Sequence, residues 1–308
     1  MKTFKIILPV VAIMLAMAVS VISCKKKEAA ATEEDTETNS TNDNTFAERT
    51  SDDIVNMAGE ASDIAVGDSA ISYRFENGEE AFGVGCATVK RDTVKKITIT
   101  FNGQTCLDGH IRSGSLTLDY SSATIGKMHY RNPGFKLVIT SSNYIVDGNK
   151  ITINKTISNT TNSGFNPATT NLTWSITSNI SIIKADGSGT ITWKANRVKE
   201  LLNTSDTNVY RGQVIRILWN KARVGITGNA SGTTAGGESF AANITKQLVR
   251  DMTCSPNSNY PGHHPFIQGT ADFTRGSKAT RYIDYGDGTC DNIATVTIKG
   301  VAYTITLQ

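Results

Sequence analysis

Four of the five cysteines, Cys86, Cys106, Cys254 and Cys290, have the widest chemical choice in the sequence. A thiol can close a disulfide, hold a metal or act as a nucleophile. No Cys-x-x-Cys spacing occurs, and His110 stands apart from His263 and His264, so zinc has no ligand set. In an oxidising compartment an even set of cysteines forms bridges, and four allow three connectivities. The flanking residues favour one of them. Ile97-Thr-Ile-Thr-Phe101-Asn-Gly-Gln-Thr105-Cys106 parallels Arg281-Tyr-Ile283-Asp-Tyr285-Gly-Asp-Gly-Thr289-Cys290. Aligned on the cysteine, Ile99 matches Ile283, Phe101 matches Tyr285 and Thr105 matches Thr289. Each copy has a cysteine upstream. A repeated, self-stapled hairpin pairs Cys86 with Cys106 and Cys254 with Cys290. The alternative is cross-pairing that ties the two ends of a sheet together. Either staple closes a loop of about 20 to 36 residues, worth roughly 3–4 kcal/mol on the chain-entropy model.

Other side chains offer less. Asp284, Asp287 and Asp291 sit on a glycine-rich stretch, where three carboxylates suit calcium, but the spacing is not that of an EF-hand and Asp-Gly is also ordinary turn chemistry. His263 and His264 lie between Pro261 and Pro265. Adjacent imidazoles on extended backbone point opposite ways, so an exposed loop is expected rather than a metal site. No Gly-x-Ser-x-Gly elbow occurs, and no catalytic residue, metal ligand set or cofactor is assigned. Trp174, Trp193 and Trp219 fall on separate expected strands, where core packing competes with a ligand platform.

The remaining cysteine, Cys24, stands in a different context. Met1-Lys-Thr-Phe-Lys5 is basic, Ile6 to Val21 is almost wholly apolar, and Val21-Ile22-Ser23-Cys24 is followed by Lys25-Lys26-Lys27. These features resemble the signal peptide and lipobox of bacterial lipoproteins. The resemblance implies cleavage after residue 23, thioether lipidation of Cys24 and a membrane anchor of two or three acyl chains. It also implies an envelope location, the outer membrane being expected, with the periplasmic and outward faces both open. Residues 25 to about 50 are rich in Ala, Thr, Glu, Asp, Ser and Asn, with no aromatic before Phe46. That composition predicts a disordered tether. The expected organisation is therefore 1–23 signal peptide, 24–50 anchor and tether, and 51–308 one β-rich domain.

The elements that must position these groups are mostly strands. Ser51 with Asp52 and Asp53 reads as a helix N-cap with first-turn acids, and Ile54, Ala58 and Ala61 follow at helical spacing. Ala195 to Leu202 is a second possible helix. Elsewhere apolar and polar residues alternate, as in Leu116 to Tyr120, Ile151 to Asn154, Ile191 to Lys194, Ile215 to Trp219 and Val301 to Leu307. Phe240 to Leu248 is read as strand. Asn77-Gly78, Asn102-Gly103, Asp147-Gly148, Asp186-Gly187 and Gly228-Asn229 supply turn residues. The expected fold is all-β: an antiparallel meander forming a curved sheet, sandwich or half-barrel, with one short N-terminal helix. Gly85 to Thr93, Arg112 to Leu116 and Asp284 to Ile298 also resemble a set of β-rich lipoproteins of Bacteroidota, a resemblance that implies no activity.

Charge narrows the partners. The chain carries 31 basic and 28 acidic side chains, a formal charge of +3, and the first 23 residues hold Lys2 and Lys5 without an acid. A near-neutral mature chain lacks the clustered cations that nucleic acid needs. The expected function is non-catalytic binding of a partner protein, glycan or apolar ligand by a lipid-anchored β domain. An envelope-polymer hydrolase and a purely structural envelope component are the alternatives.

Overall fold

The computed structural model describes residues 36–64, 86–93, 95–123, 129–162, 164–203, 207–210 and 213–307. Cys24, Asn77-Gly78 and the whole of the expected signal peptide lie outside these residues. One α-helix, α1 (Asn39–Ile64), precedes the strands β1 (Ala87–Thr93), β2 (Lys96–Thr105), β3 (Ile111–Asp119), β4 (Lys136–Val146), β5 (Asn149–Asn159), β6 (Thr173–Ile183) and β7 (Thr190–Leu201). A separate hairpin, β8 (Thr207–Tyr210) and β9 (Gln213–Ile217), and a single 3-10 turn at Trp219–Lys221 follow. Then come β10 (Arg223–Thr233), β11 (Ser239–Asp251), β12 (Phe266–Arg275), β13 (Arg281–Asp287), β14 (Ile293–Ile298) and β15 (Val301–Thr306).

All but β8 and β9 form one antiparallel sheet of 13 strands in chain order, and no ladder joins β1 to β15. Each central strand buries one face. In β5, Ile151, Ile153, Lys155, Ile157 and Asn159 point inward while Thr152, Asn154 and Thr156 are exposed. Period two dictates this: a one-residue slip would put every isoleucine in water. The sheet also cannot be flat. β3 and β11 are six ladder steps apart, roughly 29 Å on a flat sheet. Yet Arg112 of β3 and Arg250 of β11 approach the same helical residue, Asp53, at 3.8 and 2.8 Å. The sheet therefore rolls around α1, as a wide meander must to bury its apolar face without a second sheet.

Close approach of the helix is built into the strand sequences. Ser178, Ala195, Ala230 and Ala242 stand side by side across β6, β7, β10 and β11, all buried. This row of small side chains leaves room for α1, whose backbone comes nearest to β6 and β7. At its other end Gly59 faces an aromatic cluster. A Cβ there would lie 3.0 Å from Cζ2 of Trp219 and 3.4 Å from Tyr130. Tyr130 stacks on Trp174, and the Trp174 Nε1 donates to the Tyr130 carbonyl at 2.9 Å. All three tryptophans are core residues, with Trp219 on the 3-10 turn rather than a strand.

Three local expectations are corrected. The helix begins at Asn39, so residues 39–50, expected to be tether, are helical, and Ser51 lies in mid-helix rather than at its cap. The N-terminal turn is instead held by Glu37, whose carboxylate accepts from the Ser40 N–H at 2.8 Å. Ala195 to Leu202 is not a helix; β7 runs through it to Leu201, because its helical spacing is outvoted by inward Trp193, Ala195 and Arg197. Asn102-Gly103 and Gly228-Asn229 are not hairpin tips but bulges inside β2 and β10. Gly228, at φ +116°, is pressed on β7: a Cβ would meet the Asn196 carbonyl at 2.1 Å. Asp147-Gly148 does form the β4–β5 hairpin, both residues at positive φ as a type I′ turn needs.

The disulfides are Cys86–Cys106 and Cys254–Cys290. The first staples the β1–β2 hairpin. The second joins the segment after β11 to the turn after β13, bridging across β12, so the two are not equivalent staples. The parallel between their flanking sequences is nevertheless structural: Ile99, Phe101, Ile283 and Tyr285 all face the core.

A substitution at Gly59 tests the helix seat. Gly59→Leu should lower unfolding free energy by about 2 kcal/mol or more in urea titration, since an overpacked core cannot absorb the side chain. Full stability with Leu at this position would show that α1 does not seat on Trp219 and Tyr130.

Candidate functional site

α1 is polar yet buried nearly all round. Its acids face cations projecting from the inward face of the sheet. On β7 the match is geometric over the whole run: α1 rises about 18 Å from Asn44 to Asn56, close to the roughly 20 Å that β7 spans from Trp193 to Lys199. Asn44, Glu48, Asp52 and Asn56 thus form one stripe along β7. The Trp193 Nε1 donates to the Asn44 Oδ1 at 3.2 Å, Arg197 binds both Glu48 oxygens, and Lys199 reaches Asp52 at 3.2 Å and the Asn56 side chain. On other sides of the helix, Lys155 of β5 donates to the Ser51 carbonyl at 2.7 Å and hydroxyl at 2.5 Å. Arg250 binds Asp52 and Asp53, each at 2.8 Å, and Arg112 holds Asp108 through two bonds of 2.7 and 2.6 Å.

These neighbours set the protonation states. Burial alone would raise the Asp53 carboxyl, but Arg250, Arg49 and Arg112 outweigh it and hold the group below the usual carboxylate range. Asp108 is likewise held low, Arg112 overcoming burial. Burial lowers the Lys155 ammonium to about 7, with Lys199 and Arg197 adding to the effect against Asp52 and Glu48. Burial beside Arg49 and Arg250 pushes His263 down to about 4. Its neutral ring accepts from the Arg49 Nη2 at 3.0 Å.

The Ser51–Lys155 contact has the composition of a nucleophile and its base. Ser51 is 4% exposed and Lys155 0%, so among the described residues the pair is closed off from solvent. The pair is a structural tie.

Access exists at the N-terminal end of α1. A cleft of about 540 Å³ opens there between the helix, the β6–β7 and β10–β11 turns, and the start of β12. Its wall carries Asn39, Ser40, Asn42 and Asp43 from the helix, Lys184, Asp186 and Ser188 from one turn, and Thr234 and Glu238 from another. Phe46 stands in the cleft with the Lys184 ammonium 5.4 Å from its ring centre. The carboxylates are tied: Asp43 to Lys184 at 3.6 Å and to the Ala235 N–H at 3.0 Å, Glu37 to Arg275 at 3.3 Å, Glu238 to the same arginine. Asp186 accepts from its own turn, through the Ser188 N–H at 2.9 Å.

The residues singled out from sequence do not converge on this cleft. His263 and His264 are not an exposed loop: both are buried, and the His264 Nδ1 donates to the Cys254 carbonyl at 2.8 Å. The prolines and the nearby disulfide fold the segment inward. Asp284, Asp287 and Asp291 border a separate shallow groove over β11 to β14. Each accepts an N–H two residues on, from Gly286, Thr289 and Ile293, which is turn chemistry. Among the described residues no group of acids, histidines and cysteines is arranged to hold a metal ion. The buried cations went unread. Their signal was parity: Lys155, Arg197 and Lys199 occupy the same alternate positions as Ile153, Trp193 and Leu201.

Two measurements test this cluster. Glu48→Ala should cost about 3–5 kcal/mol, because it strands the buried Arg197. The Lys155 amine is depressed in the folded chain, so between about pH 7 and the ordinary lysine value the unfolded chain binds more protons and stability rises with pH. That rise should shrink in Lys155→Met, measured by urea titration at pH 7 and 9.5, the buried and likewise depressed Lys199 supplying what remains. Comparison of the chain with family models, curated proteins and solved structures finds no match, and the site's own chemistry is what bears on function.

Proposed function

We propose that the chain is a lipid-anchored cell-envelope protein whose disulfide-stapled β domain binds a glycan, without catalysis, in the cleft at the N-terminal end of α1. The cleft itself carries this reading. Its volume suits a ligand of a few sugar rings. Its wall of amides, hydroxyls and ion-paired carboxylates matches a hydroxyl-rich ligand, and the Phe46 ring offers an apolar face to one sugar. An apolar ligand finds no counterpart, since α1 and its ion pairs occupy the concave side among the described residues. Among the described residues exposed apolar side chains such as Ile111, Ile183 and Val198 fall on different strands, β3, β6 and β7, which is ordinary for a surface.

The hydrolase alternative has less to stand on. Glu37, Asp43 and Glu238 in the cleft are each engaged by a cation, Arg275 or Lys184, rather than set as a free pair of carboxylates across it. The anchor supports an envelope ligand. If Cys24 carries the acyl chains, the chain from it to Glu37 spans at most roughly 45 Å.

The experiment is isothermal titration of the chain from residue 25 onward, disulfides intact, against envelope-derived and plant oligosaccharides. Binding should appear, and Phe46→Ala should weaken it about tenfold, or roughly 1.4 kcal/mol. Absence of binding across the panel would remove the glycan reading. For the anchor, mass spectrometry should find the N-terminal peptide beginning at an acylated Cys24, and Cys24→Ser should release the protein from membranes.

A further inference from the structure

One contact along the α1 stripe joins three groups that can react with one another. The Lys199 Nζ donates to the Asn56 Oδ1 and, at 3.2 Å, to the Asp52 Oδ1. The Asn56 Nδ2 donates to the other oxygen of the same carboxylate at 3.3 Å. An amine, a carboxamide and a carboxylate therefore close one ring of contacts. Asp52 sets the orientation of the amide: its nitrogen must face the acid, so its carbonyl faces the amine. Asp52 and Asn56 lie one turn apart on α1, and Lys199 comes from β7. Lys199 and Asn56 are both 0% exposed and Asp52 is 4% exposed. Trp219 covers the amine, with its ring centre 6.0 Å away.

The surroundings suit a reaction between them. An ammonium cannot attack a carbonyl, whereas a free amine can. Burial shifts Lys199 toward the free amine, with Arg250 adding to the effect against Asp52 and Asp53. Folding holds the amine against the amide, which replaces a chance encounter with an intramolecular one. Lys155 is buried as well, but its partners are the Ser51 hydroxyl and backbone carbonyl, which offer no side-chain acyl carbon.

We propose that Lys199 and Asn56 join in an intramolecular amide bond, formed by the folded chain itself with Asp52 as the acid–base catalyst. The Asp52 carboxylate takes a proton from the Lys199 ammonium, and the freed lone pair of Nζ attacks the Asn56 Cγ. A C–N bond forms, and the carbonyl electron pair moves onto Oδ1. Asp52 hands its proton to Nδ2, and as the pair on Oδ1 returns, the Cγ–Nδ2 bond breaks with its electrons on ammonia. The carboxylate removes a second proton from Nζ and passes it to the ammonia, which departs as ammonium. Nothing is oxidised or reduced, and no outside reactant enters. The product ties α1 to β7 across 143 residues of sequence and fixes the stripe in register. It also takes Lys199 out of titration, so the pH dependence assigned to that amine belongs to the unlinked chain. This inference is independent of the glycan reading.

The test is mass spectrometry of the full chain, purified in its folded form, then denatured, reduced and digested with trypsin. Residues 50–74 and 198–211 should run as one branched species, uncleaved after Lys199 and lighter than the two peptides together by one ammonia, about 17 Da. This readout needs no variant to fold. Lys199→Arg should abolish the species. Asp52→Asn, its fold checked by circular dichroism, should form it about 100-fold more slowly. Separate peptides cleaved after Lys199 in the wild-type digest, an ammonia loss that maps to another asparagine, or a branched species that persists in Lys199→Arg would each overturn the proposal. An unchanged rate in folded Asp52→Asn would overturn the role of Asp52.

Discussion

Everything in this fold depends on burying a charged helix. A helix bearing Glu48, Asp52 and Asp53 can leave water only if each carboxylate meets a cation, since an unpaired buried charge costs several kcal/mol. The sheet supplies those cations from strands far apart in sequence, and Arg197 lies 149 residues from Glu48. The pairs add little net stability over a well-packed apolar core. What they add is uniqueness. Sliding α1 by one turn along β7 would set Glu48 against Ala195, leaving the acid unpaired, or against Lys199, leaving Arg197 opposite Asn44, so a single axial position satisfies the whole stripe.

Geometry of the sheet follows from the same need. A meander of 13 strands has one apolar face and, among the described residues, two edges without a ladder partner, and it must either meet a second layer or curl. Curling brings β3 and β11 to the same helical residue. Small side chains at Ser178, Ala195, Ala230 and Ala242 let the helix come close where it runs nearest, and large ones fill the space where it does not. Trp174, Trp219 and Tyr130 fill one end around Gly59. The other end is left less filled, and the cleft is what remains between the helix start and the surrounding turns. A binding site at this place is thus a consequence of how the barrel-like roll ends, with its chemistry set by turn residues that carry no packing duty.

The two disulfides reinforce opposite flanks of the roll. Cys86–Cys106 closes the outermost hairpin, whose far strand has one ladder neighbour among the described residues. Cys254–Cys290 spans β12 and holds down the segment carrying His263, whose neutral ring accepts from Arg49. Covalent and ionic constraints therefore meet at the same place, the junction of α1 with β3 and β11.

Local alternation along the sequence determined the strands, their antiparallel order and the inward faces, because a period of two and a positive-φ turn residue are read within a few neighbours. Matching flanks favoured one cysteine pairing over cross-pairing, and the structure settled it. The tertiary structure decided where the helix starts. Asn39 to Thr50 has poor intrinsic helix propensity and no apolar stripe, so nothing local marks it as ordered; its helicity is stabilised by Trp193, Arg197 and Asp43's contacts with distant turns. The burial of Lys155, Arg250 and His263 was decided there too. A charge in phase with an apolar face reads as an exception until its partner is known, and each partner here lies more than a hundred residues away.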